Sequence, residues 1–170
     1  YGIKVADEFY LRNDYPDSIY EAINTSELRD RLAYKYSDLP YYYLKKYLED
    51  YYGNSLHTIT QDHFYESLGA KHTTYLPLEK FDKEQIVPSE NDTIWRRQVV
   101  QGYVHDQGTA MLGGIGGHAG LFSTANDVAK IMQMYINGGY YGGQRYFDHK
   151  TIPTNMHPNH ICLQFQPHQH

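Results

Sequence analysis

The chain has 170 residues, 21% of them charged, and a net charge of -5. Lysine and arginine are scattered, so no basic stripe offers phosphates a footprint, which argues against a nucleic-acid role. With 41% hydrophobic residues the chain can bury a core, which argues against wholesale disorder.

Cys162 is the one cysteine, so no intrachain disulfide can form. No run approaches the roughly 20 apolar residues of a membrane span. The sequence opens at Tyr1 without a charged-then-apolar leader, and it reads as an internal piece of a longer protein. There are 19 tyrosines against 6 phenylalanines. That surplus suits half-buried helix faces and clefts, since the ring packs while the hydroxyl wants a polar partner. Compositional drift would give the same count.

Residues 1–17 are polar and aromatic, with Asn13-Asp14 and Tyr15-Pro16 reading as turns. A short helix is expected over about 18–31, with Ile19, Ile23, Leu28 and Leu32 inward. The next helix has Asp38 as its cap and Pro40 in its first turn. Leu44, Tyr47, Leu48 and Tyr51 form its apolar stripe, and Gly53 stops it. A third helix runs from near Ser55 to Gly69, with Leu56, Ile59, His63 and Phe64 on one side.

Residues 70–104 read as extended or looping chain, with Ser89-Glu90-Asn91-Asp92 as a turn or cap and Tyr103-Val104 as a short strand. Of the 14 glycines, 11 lie between Gly102 and Gly143, and such density marks close backbone approaches. No Gly-Lys-Ser/Thr follows, which argues against a phosphate cradle. Thr124 then caps a helix, with Asp127 completing a variant capping box. Val128, Ile131, Met132, Tyr135 and Ile136 make its apolar stripe, and Gly138-Gly139 ends it. Tyr140 to Phe147 suggests a turn with a short strand. The core is expected to rest on Leu44, Leu48, Phe64, Val128, Ile131 and Met132.

From His149 onward the chain holds five of the ten histidines and three of the seven prolines, with no periodicity. Residues 151–170 therefore read as an irregular, non-native tail. Within it, His157, His160 and Cys162 fall short of a tetrahedral zinc set, so no metal is assigned.

No serine has a lysine three residues later, and no Gly-x-Ser-x-Gly elbow occurs. A self-contained serine nucleophile is not expected. Tyr36-Ser37-Asp38 stands at a loop-to-helix junction, where a side chain can be aimed at a cleft. A tyrosine there can accept a proton if positive neighbours lower its pKa. Spacing alone reads more simply as a buried tyrosine followed by an N-cap aspartate. His105, Asp106 and His118 flank the glycine-rich stretch, and histidine titrates near neutrality. Packing or a backbone hydrogen bond would explain His118 equally. Glu90, Asp92, Trp95, Arg96 and Arg97 could line a groove, but a solvated loop with one anchoring Trp is the simpler reading.

Two stretches carry a resemblance. The first runs from Tyr36-Ser37-Asp38-Leu39 through Tyr52-Gly53-Asn54-Ser55-Leu56 to Phe64-Tyr65-Glu66-Ser67-Leu68-Gly69-Ala70 and on to Thr74. The second joins Ile86-Val87-Pro88-Ser89, Gly102-Tyr103-Val104-His105-Asp106 and Gly116-Gly117-His118-Ala119-Gly120-Leu121-Phe122-Ser123-Thr124. Over residues 1–150 the chain resembles the serine β-lactamase and penicillin-binding-protein family. It resembles most of all the β-lactamase-like domain fused behind family 3 glycosidases in some Bacteroidetes proteins.

The resemblance implies an α+β fold, here an α-rich fragment made of the helical region, with little or no complete sheet. It implies acyl transfer through a serine ester, in a β-lactamase, D-Ala-D-Ala carboxypeptidase or esterase. Tyr36 matches the tyrosine of the second motif, the general base candidate. Asp38 stands where many relatives have asparagine, and a carboxylate cannot donate to a substrate carbonyl unless protonated. His105, Asp106 and His118 become weaker candidates for lining the cleft. His118-Ala119-Gly120 resembles the third motif in letters only and is not assigned to it.

Ser-x-x-Lys and Lys/His-Thr-Gly are absent, so the chain alone is expected to be inactive. By this alignment the nucleophile precedes Tyr1 and the cleft strand follows His170. No cofactor follows from such chemistry. The implied substrate is a peptidoglycan peptide, amide or ester, and the implied location is periplasmic or secreted. Missing neighbours would leave apolar surface exposed and open to self-association. A non-catalytic module binding cell-wall glycan or peptide, and a structural helical module of a fusion protein, are the alternatives.

Overall fold

The computed structural model describes residues 2–27, 35–148 and 150–152. They form two compact units, one from residues 1–60 and 74–122, the other from 61–73 and 123–170.

The first unit begins with a hairpin, β1 (Ile3–Ala6) against β2 (Phe9–Leu11), which the sequence reading did not assign, and the turn expected at Asn13-Asp14 follows it. Its inward residue Val5 is 1% exposed and packs with Val104 and Ala110. Ile3, Phe9, Leu11, Trp95 and Ala119 surround that cluster, with the Phe9 and Trp95 rings edge to face at 5.7 Å. Helix α1 (Tyr15–Asn24) starts earlier than the predicted 18–31, because Pro16 is already in its first turn rather than in a preceding loop. Leu28 and Leu32 lie outside the described residues.

Helix α2 (Leu39–Tyr52) has the predicted limits, and Gly53 stops it in the left-handed conformation at φ 67°. Its rotation differs from the predicted stripe. Tyr42 is buried and Lys45 and Glu49 turn inward, while Leu44, Tyr47 and Tyr51 are exposed. Two interactions fix this rotation. Lys45 pairs with Glu49 at 2.7 Å, and Glu49 also accepts the Leu56 backbone N–H at 2.9 Å, at the start of α3 (Leu56–Thr60). Tyrosine hydroxyls tolerate water, so an aromatic stripe need not be the inner one.

The stretch predicted as extended or looping chain contains a second hairpin, β3 (Pro88–Asp92) with β4 (Gln98–Gln101). Ser89 to Asp92 is therefore strand rather than turn, and the strand expected at Tyr103-Val104 lies earlier. The loop between these strands is largely exposed, with Trp95 as its anchor against Phe9, as the simpler reading had it, but Arg96 departs from that reading. Arg96 has a side chain with 0% exposure and spends its guanidinium on four acceptors. Nε donates to Asp92 at 2.8 Å, Nη1 to the Val104 carbonyl at 2.6 Å, and Nη2 to Glu90 at 2.9 Å and the His105 carbonyl at 2.6 Å. A short helix, α4 (Gln107–Met111), follows at once.

The second unit opens with the π-turn Gln61–Tyr65, where Glu66 N–H reaches the Gln61 carbonyl and Ala70 N–H the Tyr65 carbonyl. The single α-helix predicted through to Gly69 is thus broken, since the hydrogen bonds step to i+5. Helix α5 (Ala125–Ile136) is capped by Thr124, whose hydroxyl accepts the Asp127 N–H. Asp127 does not close a capping box. It is 1% exposed and accepts the His72 N–H at 2.6 Å and Lys130 Nζ at 2.8 Å.

The inner face of α5 is therefore Asp127, Ile131, Met134 and Tyr135, while Val128 and Ile136 face outward. Leu68, Ala70 and Met134 form this unit's centre, ringed by Phe64, Tyr65, Ile131, Tyr135, Tyr141, Tyr146 and Phe147. Of the expected core residues, Phe64 and Ile131 join it, while Leu44 at 53% and Val128 at 36% exposure do not. The predicted turn at its end is the hairpin β5 (Tyr140–Tyr141) and β6 (Gln144–Arg145).

Two outcomes are expected. Arg96→Met strands the buried Asp92 carboxylate and three further acceptors, and should lower the unfolding free energy by about 3 kcal/mol in denaturant titration. The Arg96 guanidinium, aided by the N–H groups of Trp95, Arg96 and Ile94, holds the Asp92 carboxyl well below the ordinary carboxylate range despite burial. A depressed folded pKa contributes stability above the unfolded value of about 4 and loses it as pH falls toward the folded one. Unfolding by near-ultraviolet circular dichroism should therefore move to lower temperature below about pH 4, and Asp92→Asn should flatten that dependence.

Candidate functional site

The residues singled out from sequence fall into two groups within the first unit. Tyr36, Ser37 and Asp38 precede α2. His105, Asp106 and His118 belong to the glycine-rich segment around α4.

Tyr36 is 73% exposed, so the reading of a buried tyrosine does not hold. Asp38 occupies the N-cap position without capping. Its backbone is already helical (φ -84°, ψ -13°), and its side chain makes no cap hydrogen bond. The reason is local. Pro40 has no N–H to offer, the Leu39 N–H goes to the Ser37 hydroxyl at 3.3 Å, and the Tyr41 N–H goes to the Asp38 carbonyl at 2.9 Å. The Asp38 carboxylate is thus not consumed by the helix end.

Asp106 does cap. It precedes α4 and Oδ1 accepts the Thr109 N–H at 2.7 Å. The same oxygen lies 3.2 Å from His118 Nε2, which is also 3.2 Å from the Thr109 hydroxyl. Burial on its own would raise the Asp106 pKa, but the Thr109 N–H, the Thr109 hydroxyl and His118 outweigh it and hold the carboxyl below its usual range. Asp106 is therefore an anion at neutral pH, and it accepts from Nε2 in the tautomer that carries hydrogen there.

The His118 side chain is 8% exposed. Its ring stacks on Tyr42 at 4.9 Å and 25° and tilts over Tyr41 at 6.4 Å. Burial pushes the Tyr42 phenol up, and the charges of Asp106 and Asp38 push it further, so this phenol stays protonated. The glycines explain how backbone comes so near to α2. A Cβ on Gly117 would stand 2.7 Å from the Tyr41 carbonyl oxygen, and one on Gly108 would stand 1.9 Å from the Tyr42 hydroxyl. The glycine density seen in the sequence is here a matter of contact with α2.

His105 is exposed, and the structure engages its carbonyl, bound by Arg96, rather than its ring. Of the candidates, His118 and Asp106 are brought together, and Tyr36 and Asp38 share the entry to α2. Thr109 and Tyr42 were missed, and Arg96, singled out only as one of a charged cluster that could line a groove, is buried instead. The Asp-x-x-Thr spacing of a cap over residues 106–109 and the Asp-x-x-x-Arg spacing over 92–96 were the available signals. Among the described residues no group of three His, Cys, Asp or Glu side chains could hold a metal ion, and His157, His160 and Cys162 lie outside them. No helix among the described residues is long and apolar enough to cross a membrane.

Gly117→Ala forces a side-chain carbon into the Tyr41 carbonyl. It should cost about 1–3 kcal/mol in chemical denaturation, a larger loss than Gly142→Ala, where the added carbon meets nothing within 4 Å and only φ 57° opposes it.

Comparison with known proteins shows the family. The Beta-lactamase family model matches residues 4–159. A "Putative D-alanyl-D-alanine carboxypeptidase" of Salmonella gallinarum is 36% identical over 138 residues, covering 74% of this chain and 32% of that protein. Its counterpart in Salmonella typhi is 37% identical over 129 residues, covering 69% and 30%. The chain thus spans about a third of the length of these curated relatives. The crystal structure of a putative β-lactamase from Bacteroides dorei DSM 17855 superimposes with a TM-score of 0.53 at 18% identity, covering 89% of this chain and 38% of that one, which shows a shared fold. The chain belongs to the β-lactamase family.

Proposed function

We propose that this chain is the helical part of a serine hydrolase that cleaves a peptidoglycan peptide, amide or ester through an acyl-enzyme. The observation that carries the reading is the entry to α2. Tyr36 is exposed on a short segment leading into a rigid helix, and the Asp38 carboxylate is left unspent by that helix. Such a segment can present a phenol and a carboxyl to a reacting centre.

In this reading, Tyr36 takes the proton of a serine hydroxyl as its oxygen attacks the scissile carbonyl. The proton then passes to the departing amine or alcohol as the carbonyl bond to it breaks. Water attacks the resulting ester and releases the acid, which restores the serine. A phenol performs this role when positive neighbours lower its pKa, and the lysine of a Ser-x-x-Lys motif is such a neighbour. Serine and lysine are contributed by sequence outside these residues, so the chain alone is inactive. The curated relatives, by name carboxypeptidases acting on D-alanyl-D-alanine, favour a peptide substrate and a periplasmic or secreted setting.

The exposed face of α2 fits a helix covered by further parts of a larger domain, and left bare it is open to self-association. It also supports a second reading. Tyr47 and Tyr51 stack at 6.2 Å and are 64% and 71% exposed, a platform on which a sugar ring of cell-wall glycan can lie.

Treatment of a longer polypeptide, extended through a Ser-x-x-Lys motif, with fluorescent penicillin or fluorophosphonate separates the two. The serine-hydrolase reading expects covalent labelling of the longer polypeptide and none of the 170-residue chain. Tyr36→Phe should slow that labelling by about 100-fold. Absence of labelling by both reagents, with retention on insoluble peptidoglycan that Tyr47→Ala abolishes, would select the binding module.

A further inference from the structure

We propose that His118 and Asp106 are positioning residues that clamp the first turn of α2 and thereby hold Tyr36 and Asp38 in register. The inference deepens the serine-hydrolase reading above and rests on it for its catalytic consequence.

The contacts run without a gap. Arg96 grips the Val104 and His105 carbonyls at 2.6 Å each, which sets the backbone entering Asp106. Asp106 caps α4 and holds His118 Nε2 at 3.2 Å. The other side of the imidazole lies flat on Tyr42, and Gly117 brings its backbone against the Tyr41 carbonyl. Tyr41 in turn donates its N–H to the Asp38 carbonyl at 2.9 Å. The glycine-rich segment thus seizes α2 at its third and fourth residues, one turn from the candidate pair.

Packing alone does not call for a histidine at position 118. Nδ1 is buried and has no hydrogen-bond partner among the described residues, and leaving such an acceptor unpaired costs about 1–3 kcal/mol. An apolar ring would stack on Tyr42 without that cost. What only the imidazole adds is the Nε2 tether to Asp106, which couples the ring resting on α2 to the charged cap of α4. The turn it holds is in need of a holder. The Asp38 side chain does not cap α2 and Pro40 has no amide to offer, so the first turn is held locally only by the Ser37 hydroxyl on the Leu39 N–H and the Asp38 carbonyl on the Tyr41 N–H.

The test compares wild type, His118→Phe, His118→Gln and Asp106→Asn. His118→Phe keeps the stacked ring and deletes the tether, and His118→Gln restores a donor. In the 170-residue chain, hydrogen exchange of the Leu39, Tyr41 and Tyr42 amides should quicken at least tenfold in His118→Phe and Asp106→Asn. Exchange in α5 should be unchanged, and His118→Gln should recover at least part of the protection. In the longer polypeptide, the acylation rate constant should fall at least tenfold in His118→Phe with the non-covalent affinity for the reagent unaltered.

Wild-type exchange in a folded His118→Phe overturns the clamp, and Asp106→Asn decides it if His118→Phe does not fold. Faster exchange with an undiminished acylation rate overturns the positioning role. If the wild-type longer polypeptide is not acylated at all, the serine-hydrolase reading fails and takes the positioning role with it, while the exchange measurement still decides the clamp.

Discussion

The first unit depends on a charge taken out of water. The Arg96 guanidinium has 0% exposure, and a buried charge is tolerable only when its donors are met. Two carboxylates and two backbone carbonyls meet them. The carboxylates come from the β3–β4 hairpin, and the carbonyls from the irregular segment that runs into α4. One side chain therefore ties a hairpin to the start of a helix. Everything downstream inherits that placement: the Asp106 cap, the His118 ring upon it, and the turn of α2 beneath the ring.

Carboxylates do similar work in both units. Asp92 accepts the Ile94 and Trp95 N–H groups, Asp106 that of Thr109, and Asp127 that of His72. Each also meets a basic side chain: Arg96, His118 and Lys130 respectively. A carboxylate that accepts backbone donors and faces a basic side chain that can donate hydrogen is stabilised as an anion even where it is shielded from water. The pKa of all three is lowered accordingly. Between the regular elements, these acceptors give irregular backbone the partners that a sheet or helix would otherwise supply. Asp38 stands apart, since the helix it precedes makes no use of its side chain.

Much of the α+β fold was legible. Gly53 and Gly138-Gly139 mark helix ends, Thr124 marks a start, and Pro40 is read correctly as a first-turn residue. These signals are local, because they depend on φ or on a missing N–H. The rotations of α2 and α5 were misread for one reason. Apolar periodicity assumes that apolar residues face inward, whereas Lys45, Glu49 and Asp127 turn inward to satisfy backbone and each other. The short hairpins β1–β2 and β3–β4 escaped notice because their strands have three to five residues and no clean alternation.

By itself the amino-acid order determined the family and the limits of α2 and α5, and it pointed to the segment Tyr36-Ser37-Asp38 as a candidate. Each follows from neighbours in sequence, whether as motif spacing or as backbone chemistry. The tertiary structure alone decided that Asp38 is not spent as a cap, that Arg96 is buried, and that His118 bridges Asp106 and α2. Those outcomes join residues 4 to 76 positions apart in the chain. Which donor meets which acceptor at such range is set by burial, where every polar group must find a partner, and no spacing rule records it.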